Sequence, residues 1–343
     1  PCSRPASTAK PSQSKPAAGS AQLVVGTHAI FTEDVRFKSL RLVIIDEQHR
    51  FGVLQRLAAS QKGETPDVLL MTATPIPRTL ALTVFGDMRI STIRTMPPGR
   101  KPVITHLARH GNERKVYDWI RKELIRGRQA YFVYPLIEES ESLRLKDAES
   151  TYEELRTKVF SDFRLGLIHS RLGEEEKRAT MQAFKDGAVD ILVATSVVEV
   201  GVDVPNATCM VVEHAERFGL AALHQLRGRV GRGEHQSYAF IVYSPDLTED
   251  GKRRLRTMLE QSDGFALAEE DLKIRGPGDF AGVRQSGYLR LRIADLTTDL
   301  DLLAAAREDA FSLLNDDAGL LQPEHAPVRD TLSQLDSEEP ALI

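Results

Sequence analysis

Residues 43–50 read Val-Ile-Ile-Asp-Glu-Gln-His-Arg, an apolar β-branched run that ends abruptly in two carboxylates and a histidine. Val43 to Ile45 have the composition of a buried strand. A charge inside such a strand is costly unless it is paired or holds a metal. The tip of the strand is different, because in open α/β sheets ligands bind in the crevice beyond the carboxyl ends of the strands. Taken alone, Asp46 and Glu47 fit either a solvated acidic turn or a ligand site. The rest of the chain decides between them.

The chain has 343 residues, enough for about two domains. Hydrophobic content is 41% and charged content 27%, ordinary values for a globular chain with a sizeable core. The net charge of −4 excludes a uniformly basic nucleic-acid coat, so any contact with nucleic acid has to come from local patches. Cys2 and Cys209 make neither a disulfide framework nor a metal cluster, which suits a reducing cytosol. No apolar run reaches membrane-spanning length, and no basic segment followed by an apolar one opens the chain. The expected location is therefore cytoplasmic, with no membrane partner.

Residues 1–20 are rich in Pro, Ser and Ala with little to bury, and are expected to be a disordered tail. From Ala21 the texture changes. "QLVVGTHAIF", "LRLVIIDEQH" and "DVLLMTAT" each read as a short buried strand, and helical stretches between strands point to a parallel sheet with crossovers. "TMPPGRKP" is a linker. Beyond it, "KVYDWIRKELIRG" reads as a helix closed by Gly127, and "EEEKRATMQAFKDG" as one closed by Gly187. "QAYFVYPLI", "LGLIHSRL", "DILVATSVVEVGVDVP", "TCMVVEHA" and "YAFIVYS" supply strands of a second unit. From about Gly251 the pattern is helical. The expected domains are 21–96, 97–250 and 251–343, after the tail 1–20.

Three clusters carry chemistry. In a nucleoside triphosphatase an Asp at a strand tip can hold Mg²⁺ through water, and the next Glu can orient or deprotonate the attacking water. Asp46 and Glu47 have that order, with His49 close enough to sense the phosphate. In "QLRGRVGRG", Gln225, Arg229 and Arg232 fall at i, i+4 and i+7, one face if the segment is helical. Two guanidinium forks and an amide on one face suit a polyphosphate, although most charge runs are solvated faces. Gly219, Gly228, Gly231 and Gly233 nearby imply a close approach of backbone. In "ATSVVEVGVDVPNA", Thr195, Ser196 and Gly201 offer small donors to a nucleic-acid backbone, and Asp203 follows; a buried strand and turn explain that stretch equally well.

The order "VVGTHAIF", "VIIDEQH", "MTATPIPRT", "LIHSRL", "ATSVVEVGVDVP", "QLRGRVGRG" resembles superfamily 2 helicases. "DEQHRFGV", "TATPIPRTLALTVFGDM", "ERFGLAALHQLRGRVGRG" and "LKIRGPGDFAGVRQSG" bring it closer to the RecG-type ATP-dependent DNA helicases, from Ala21 almost to the end. The resemblance implies tandem RecA-like parallel-sheet domains and a small helical C-terminal element. It implies ATP and Mg²⁺ as cofactors and branched double-stranded DNA as partner, handled by a monomer. By this resemblance Asp46 serves Mg²⁺, Glu47 the catalytic water, and Thr72 and Thr74 couple nucleotide state to DNA grip. Arg232 is the arginine finger, with Arg229 beside it, Gln225 in support, and Gly201 and Asp203 at the nucleotide. Thr27, His28, Ser170, Arg171 and Thr195 line the path of the tracked strand. Arg284 and Gln285 belong to the element that turns domain closure into translocation.

One departure matters. The G-x-x-x-x-G-K-[ST] loop that such an enzyme needs does not occur; the one Gly-Lys pair, Gly251-Lys252, is followed by Arg253 and lacks the earlier Gly. Residues 21–96 therefore read as the back half of a first RecA-like domain, and the chain as a truncated or misjoined fragment, inactive alone. Two other readings stay open: a catalytically dead DNA-binding or regulatory module, and a piece of a translocase like the transcription-repair coupling factor.

Overall fold

The computed structural model describes residues 21–31, 35–46, 66–72, 91–93, 95, 99–135, 149–195, 203–275 and 299–338. The chain divides into two compact units, the first ending at Pro75 and the second beginning at Ile76. The expected tail 1–20 and the residues 96–97, where a domain boundary was expected, lie outside the described residues or at their margin.

In the first unit, β1 (Leu42–Ile45) and β2 (Asp67–Leu70) pair in parallel, with Leu42 opposite Asp67 and Ile45 opposite Leu70. Val43 and Ile45 are buried while Leu42 and Ile44 are exposed, the two-residue period of a strand with one covered face. The strand expected over "QLVVGTHAIF" does not form. Leu23 and Val25 are exposed, and His28–Phe31 is a 3₁₀ turn closed by Ile30 N donating to the carbonyl of Thr27. Apolar residues alone do not make a strand; a ladder partner is needed, and among the described residues this segment has none.

Among the described residues the second unit has six parallel strands: β3 (Ile104–Arg109), β4 (Gln129–Tyr134), β5 (Leu165–Ile168), β6 (Ile191–Thr195), β7 (Ala207–Val212) and β8 (Tyr238–Tyr243). Their order in space is β3-β8-β7-β4-β6-β5. The tandem parallel-sheet α/β class expected from the sequence is present. The central strands are covered on both faces, so β7 is buried at every position, as continuous Val-rich strands of parallel sheets are.

One face carries α1 (Glu113–Ile125) and a helical segment from 149 that ends in a π-helical turn, Leu155–Val159. Val116, Ile120 and Leu124 of α1 meet Phe132, Val193, Val211 and Phe160. Gly127, at φ 78°, ends α1: its N–H and that of Arg128 return to the carbonyls of Leu124 and Glu123, a reversal for which glycine is favoured. The other face carries α2 (Glu174–Lys185), α3 (Leu220–Arg227), α4 (Glu249–Glu260) and α5 (Gly264–Arg275). Met181, Phe184, Leu220, Leu223, Leu226, Leu255, Met258 and Leu267 pack there against Tyr131, Val133, Met210 and Ile241. Two further helices, α6 (Leu300–Asp316) and α7 (Ala326–Glu338), follow. Among the described residues no helix is long and apolar enough to cross a membrane.

Candidate functional site

The arginine segment starts from a well-anchored helix. Leu220, Leu223 and Leu226, at i, i+3 and i+6, are buried against the sheet and fix α3. The helix stops at Arg227, with Gly228 as its C-cap. The single helical face expected through Gln225, Arg229 and Arg232 is therefore not formed: Gln225 lies on the helix, and Arg229 and Arg232 lie on the turn beyond it. The glycines explain why. Gly231 sits at φ 78°, which interrupts a right-handed helix.

The same glycines account for the close approach read from the sequence, and what they approach is the chain itself. A Cβ at Gly231 would fall 2.8 Å from Cγ2 of Val103, and one at Gly233 would fall 2.5 Å from the carbonyl oxygen of Pro205. Arg100, from the Pro-Gly linker, donates from Nε to the carbonyl of Gly231 at 3.0 Å. The turn is thus clamped between the linker and the loop that carries Asp203. Within it, Arg232 donates from Nε to the carbonyl of Gly228 at 3.3 Å, and its Nη1 lies 3.7 Å from Oδ1 of Asp203. The Tyr131 hydroxyl of β4 faces these charges: burial pushes its pKa up to about 12, while Arg229 and Arg232 pull it down.

Arg227, which the motif reading passed over, is the anchor. Its side chain is buried and donates to the carbonyls of Met258 at 3.2 Å, Gln261 at 2.9 Å and Ser262 at 3.2 Å. These are carbonyls at and just past the C-terminus of α4, where helices leave acceptors unpaired. It also donates to Nδ1 of His224 at 3.0 Å. Burial and then the Arg227 charge hold His224 down at about 4, so its ring is neutral at pH 7 and Nδ1 is the acceptor.

The carboxyl ends of the strands make a second polar region. Val133 pairs with Val212, Tyr134 with Thr195, and Ile168 with Ala194. One step on, Glu213, Tyr134, Thr195 and His169 stand in a row across four neighbouring strands. Ser170 and Arg171 follow His169 and are exposed. The structure therefore brings Thr195, Ser170 and Arg171 to one end of adjacent strands. Three buried atoms of the row, Tyr134 Oη, His169 Nδ1 and Glu213 Oε1, have no hydrogen-bond partner. Burial, reinforced by the charge of Glu113, pushes the Glu213 carboxyl up to about 7. Among these, Glu213, Tyr134 and His169 are not among the residues singled out in the sequence: His169 lies inside "LIHSRL", where Ser170 and Arg171 drew the reading, and Glu213 and Tyr134 end apolar runs that read as strand alone.

In the first unit, Asp46 is exposed directly beyond β1, and Thr72 lies two residues beyond β2, at the same end of two adjacent strands. Thr27 is exposed at the start of the 3₁₀ turn, and His28 begins it. Asp46 fits Mg²⁺ as one carboxylate, since that ion is held by one or two carboxylates with phosphate and water; among the described residues no cluster of His, Cys, Asp or Glu makes a protein-only metal site. Glu47, His49, Thr74, Ser196, Gly201, Arg284 and Gln285 lie outside the described residues.

The chain matches three family models: the DEAD/DEAH box helicase over residues 4–83, the helicase conserved C-terminal domain over 115–234, and ATP-dependent DNA helicase RecG, domain 3, C-terminal, over 261–339. It is 55% identical over 312 residues to the ATP-dependent DNA helicase RecG of Treponema pallidum (strain Nichols), covering 88% of this chain and 45% of that protein. It is 51% identical over 316 residues to the RecG of Bacillus subtilis (strain 168), covering 92% of this chain and 46% of that one. A solved structure of RecG bound to a three-way DNA junction superimposes with a TM-score of 0.64 at 48% identity, over 86% of this chain and 38% of that one. The chain spans less than half the length of these relatives. Motif order, parallel sheets and these matches together make it a member of the RecG-type helicase family.

Proposed function

We propose that this chain is the motor portion of an ATP-dependent translocase that remodels branched double-stranded DNA, working as a monomer in the cytoplasm. Asp46 provides a carboxylate for Mg²⁺ and Glu47 acts on the attacking water, with His49 beside them. Thr72 and Thr74 link nucleotide state to DNA grip. Arg232 and Arg229 stabilise charge on the transferring phosphoryl group, Gln225 supports them, and Gly201 and Asp203 meet the nucleotide. Thr27, His28, Ser170, Arg171 and Thr195 contact the tracked strand, and Arg284 and Gln285 convert closure into movement. Mg²⁺, when bound, would neutralise phosphate charge.

The clamped arginine turn is the observation that supports this reading most. A guanidinium held by Gly228 and Asp203 on a turn locked by Gly231 and Gly233 is pre-positioned, as transition-state stabilisation requires. The test is Arg232→Ala in an enzyme of the length of its relatives. Turnover at saturating DNA should fall about 10³-fold while DNA affinity changes little. Turnover near wild type, with weaker and less salt-dependent DNA binding, would make Arg232 a DNA ligand instead. A second reading, a DNA-binding module without hydrolysis, is favoured for the isolated chain by the absence of a phosphate-binding loop from its sequence.

A further inference from the structure

We propose that the outer face of α1, beside β3, the edge strand of the large sheet among the described residues, is a stacking platform for single-stranded nucleic acid. It uses none of the residues assigned above to ATP or to the tracked strand.

The platform follows from register. β3 pairs with β8 so that Ile104 stands opposite Tyr238 and His106 opposite Phe240, which puts these side chains on one face. The His106 ring stacks near Phe240 at 5.4 Å and Tyr238 at 6.3 Å, both at 20°. α1 lays Trp119 across them, edge-on to Tyr238 at 5.3 Å and tilted to His106 at 6.1 Å. Phe240 is buried and closes the floor. Trp119 keeps 38% of its surface exposed, and His106 is exposed beside it. Trp119 and His106 are thus packed together and still partly open to solvent.

Charge selects the occupant. Lys115 and Lys122 lie four residues before and three after Trp119, so they share its side of the helix. They are separated by about 10 Å along the axis. Neither has an ion-pair partner among the described residues, whereas several neighbouring charges are paired: Arg121 with Asp162, Arg126 with Glu123, and His110 with Glu113. Asp118, exposed, stands three residues after Lys115 and four before Lys122, so one carboxylate borders the two lysines on the side away from Trp119. Open aromatic faces flanked by unpaired lysines are the chemistry that holds single strands, since every base has a π-face and every link a phosphate. A duplex keeps its bases stacked and would meet only the lysines.

Trp119 is the only tryptophan in the sequence, so its emission reports this site alone. The experiment titrates the full chain with a short oligothymidylate, without nucleotide, across a salt series. Saturable quenching is expected. The Lys115→Ala/Lys122→Ala variant should bind more weakly, with a salt slope shallower by about 1.4. His106→Ala should weaken binding about tenfold, the size of one lost stacking contact. Three results would overturn the proposal: no quenching, a salt slope unchanged in the double variant, or equal quenching by inorganic polyphosphate, which has charge but no bases. ATP turnover does not enter this assay, so its failure and the failure of the ATPase reading are separate results.

Discussion

Gly233 and the carbonyl of Pro205 lie so close that no side chain fits between them. This contact presses the arginine turn onto the loop of Asp203 and brings Arg232 to 3.7 Å from that carboxylate. Gly233→Ala should cost about 1–3 kcal/mol, the usual penalty of overpacking against backbone. The thermal midpoint of the chain reads it. An unchanged midpoint would mean that the two segments separate freely and that the turn is not clamped.

Arg227 makes a stability prediction that separates it from its neighbours in the motif. Arg227→Met keeps the apolar stem but strands the carbonyls of Met258, Gln261 and Ser262. The expected loss is about 3 kcal/mol, since a buried group left unpaired costs about 1–3 kcal/mol and some will find water. Arg232→Met, at a half-exposed position, should change the urea midpoint little. Equal losses in both would place Arg227 among the surface arginines.

Two buried groups give opposing pH dependences. Glu213 is held near 7 by burial, above its ordinary value of 4.5, so the folded chain keeps a proton there that the unfolded chain releases; stability falls as pH rises from about 4.5 to 7. His224 is held near 4, below its ordinary 6.5, so stability rises as pH rises from about 4 to 6.5. Between pH 4.5 and 6.5 the two largely cancel. Glu213→Gln removes the first, so the variant should match wild type near pH 4 and exceed it at pH 8, by up to about 3 kcal/mol. Melting curves at the two values decide it; a variant less stable at pH 8 would show the charged carboxylate to be paired.

The isolated chain should not hydrolyse ATP at a helicase rate, because phosphoryl transfer depends on the groups that hold the phosphates, and the loop that does so is absent from its sequence. DNA-stimulated turnover in the purified chain that Asp46→Asn abolishes would refute this.

Most of the second sheet was readable because its central strands are buried on both faces and so appear as nearly continuous apolar runs: residues 129–134, 191–195 and 207–212 need no context to be recognised. β3 was not read. As an edge strand it alternates, "ITHLAR", with three polar residues among six, and only its partner makes it a strand. The opposite error fell on residues 22–31, apolar enough for a strand but without a ladder among the described residues. The arginine cluster was found by type and spacing, yet its shape was not, because whether a helix continues through Gly228 and Gly231 depends on Val103, Pro205 and Arg100, far away in sequence. Arg227 was hidden for the same reason: its acceptors are backbone carbonyls of another helix, which leave no mark on the residues around it.

The sheet order has a consequence for how this unit is made. Among the described residues β3, the first strand of this unit, pairs with β8, the last, and with no other strand. On the ribosome, Ile104–Arg109 must therefore wait as an unpaired edge until Tyr238–Tyr243 has emerged, after the arginine turn itself has been synthesised. The linker that delivers Arg100 to Gly231 is drawn in by the same late event. The clamp on the arginine turn thus follows the turn's own synthesis, and a ribosome stalled before residue 238 would hold a sheet whose outer strand is still open to pairing with another molecule.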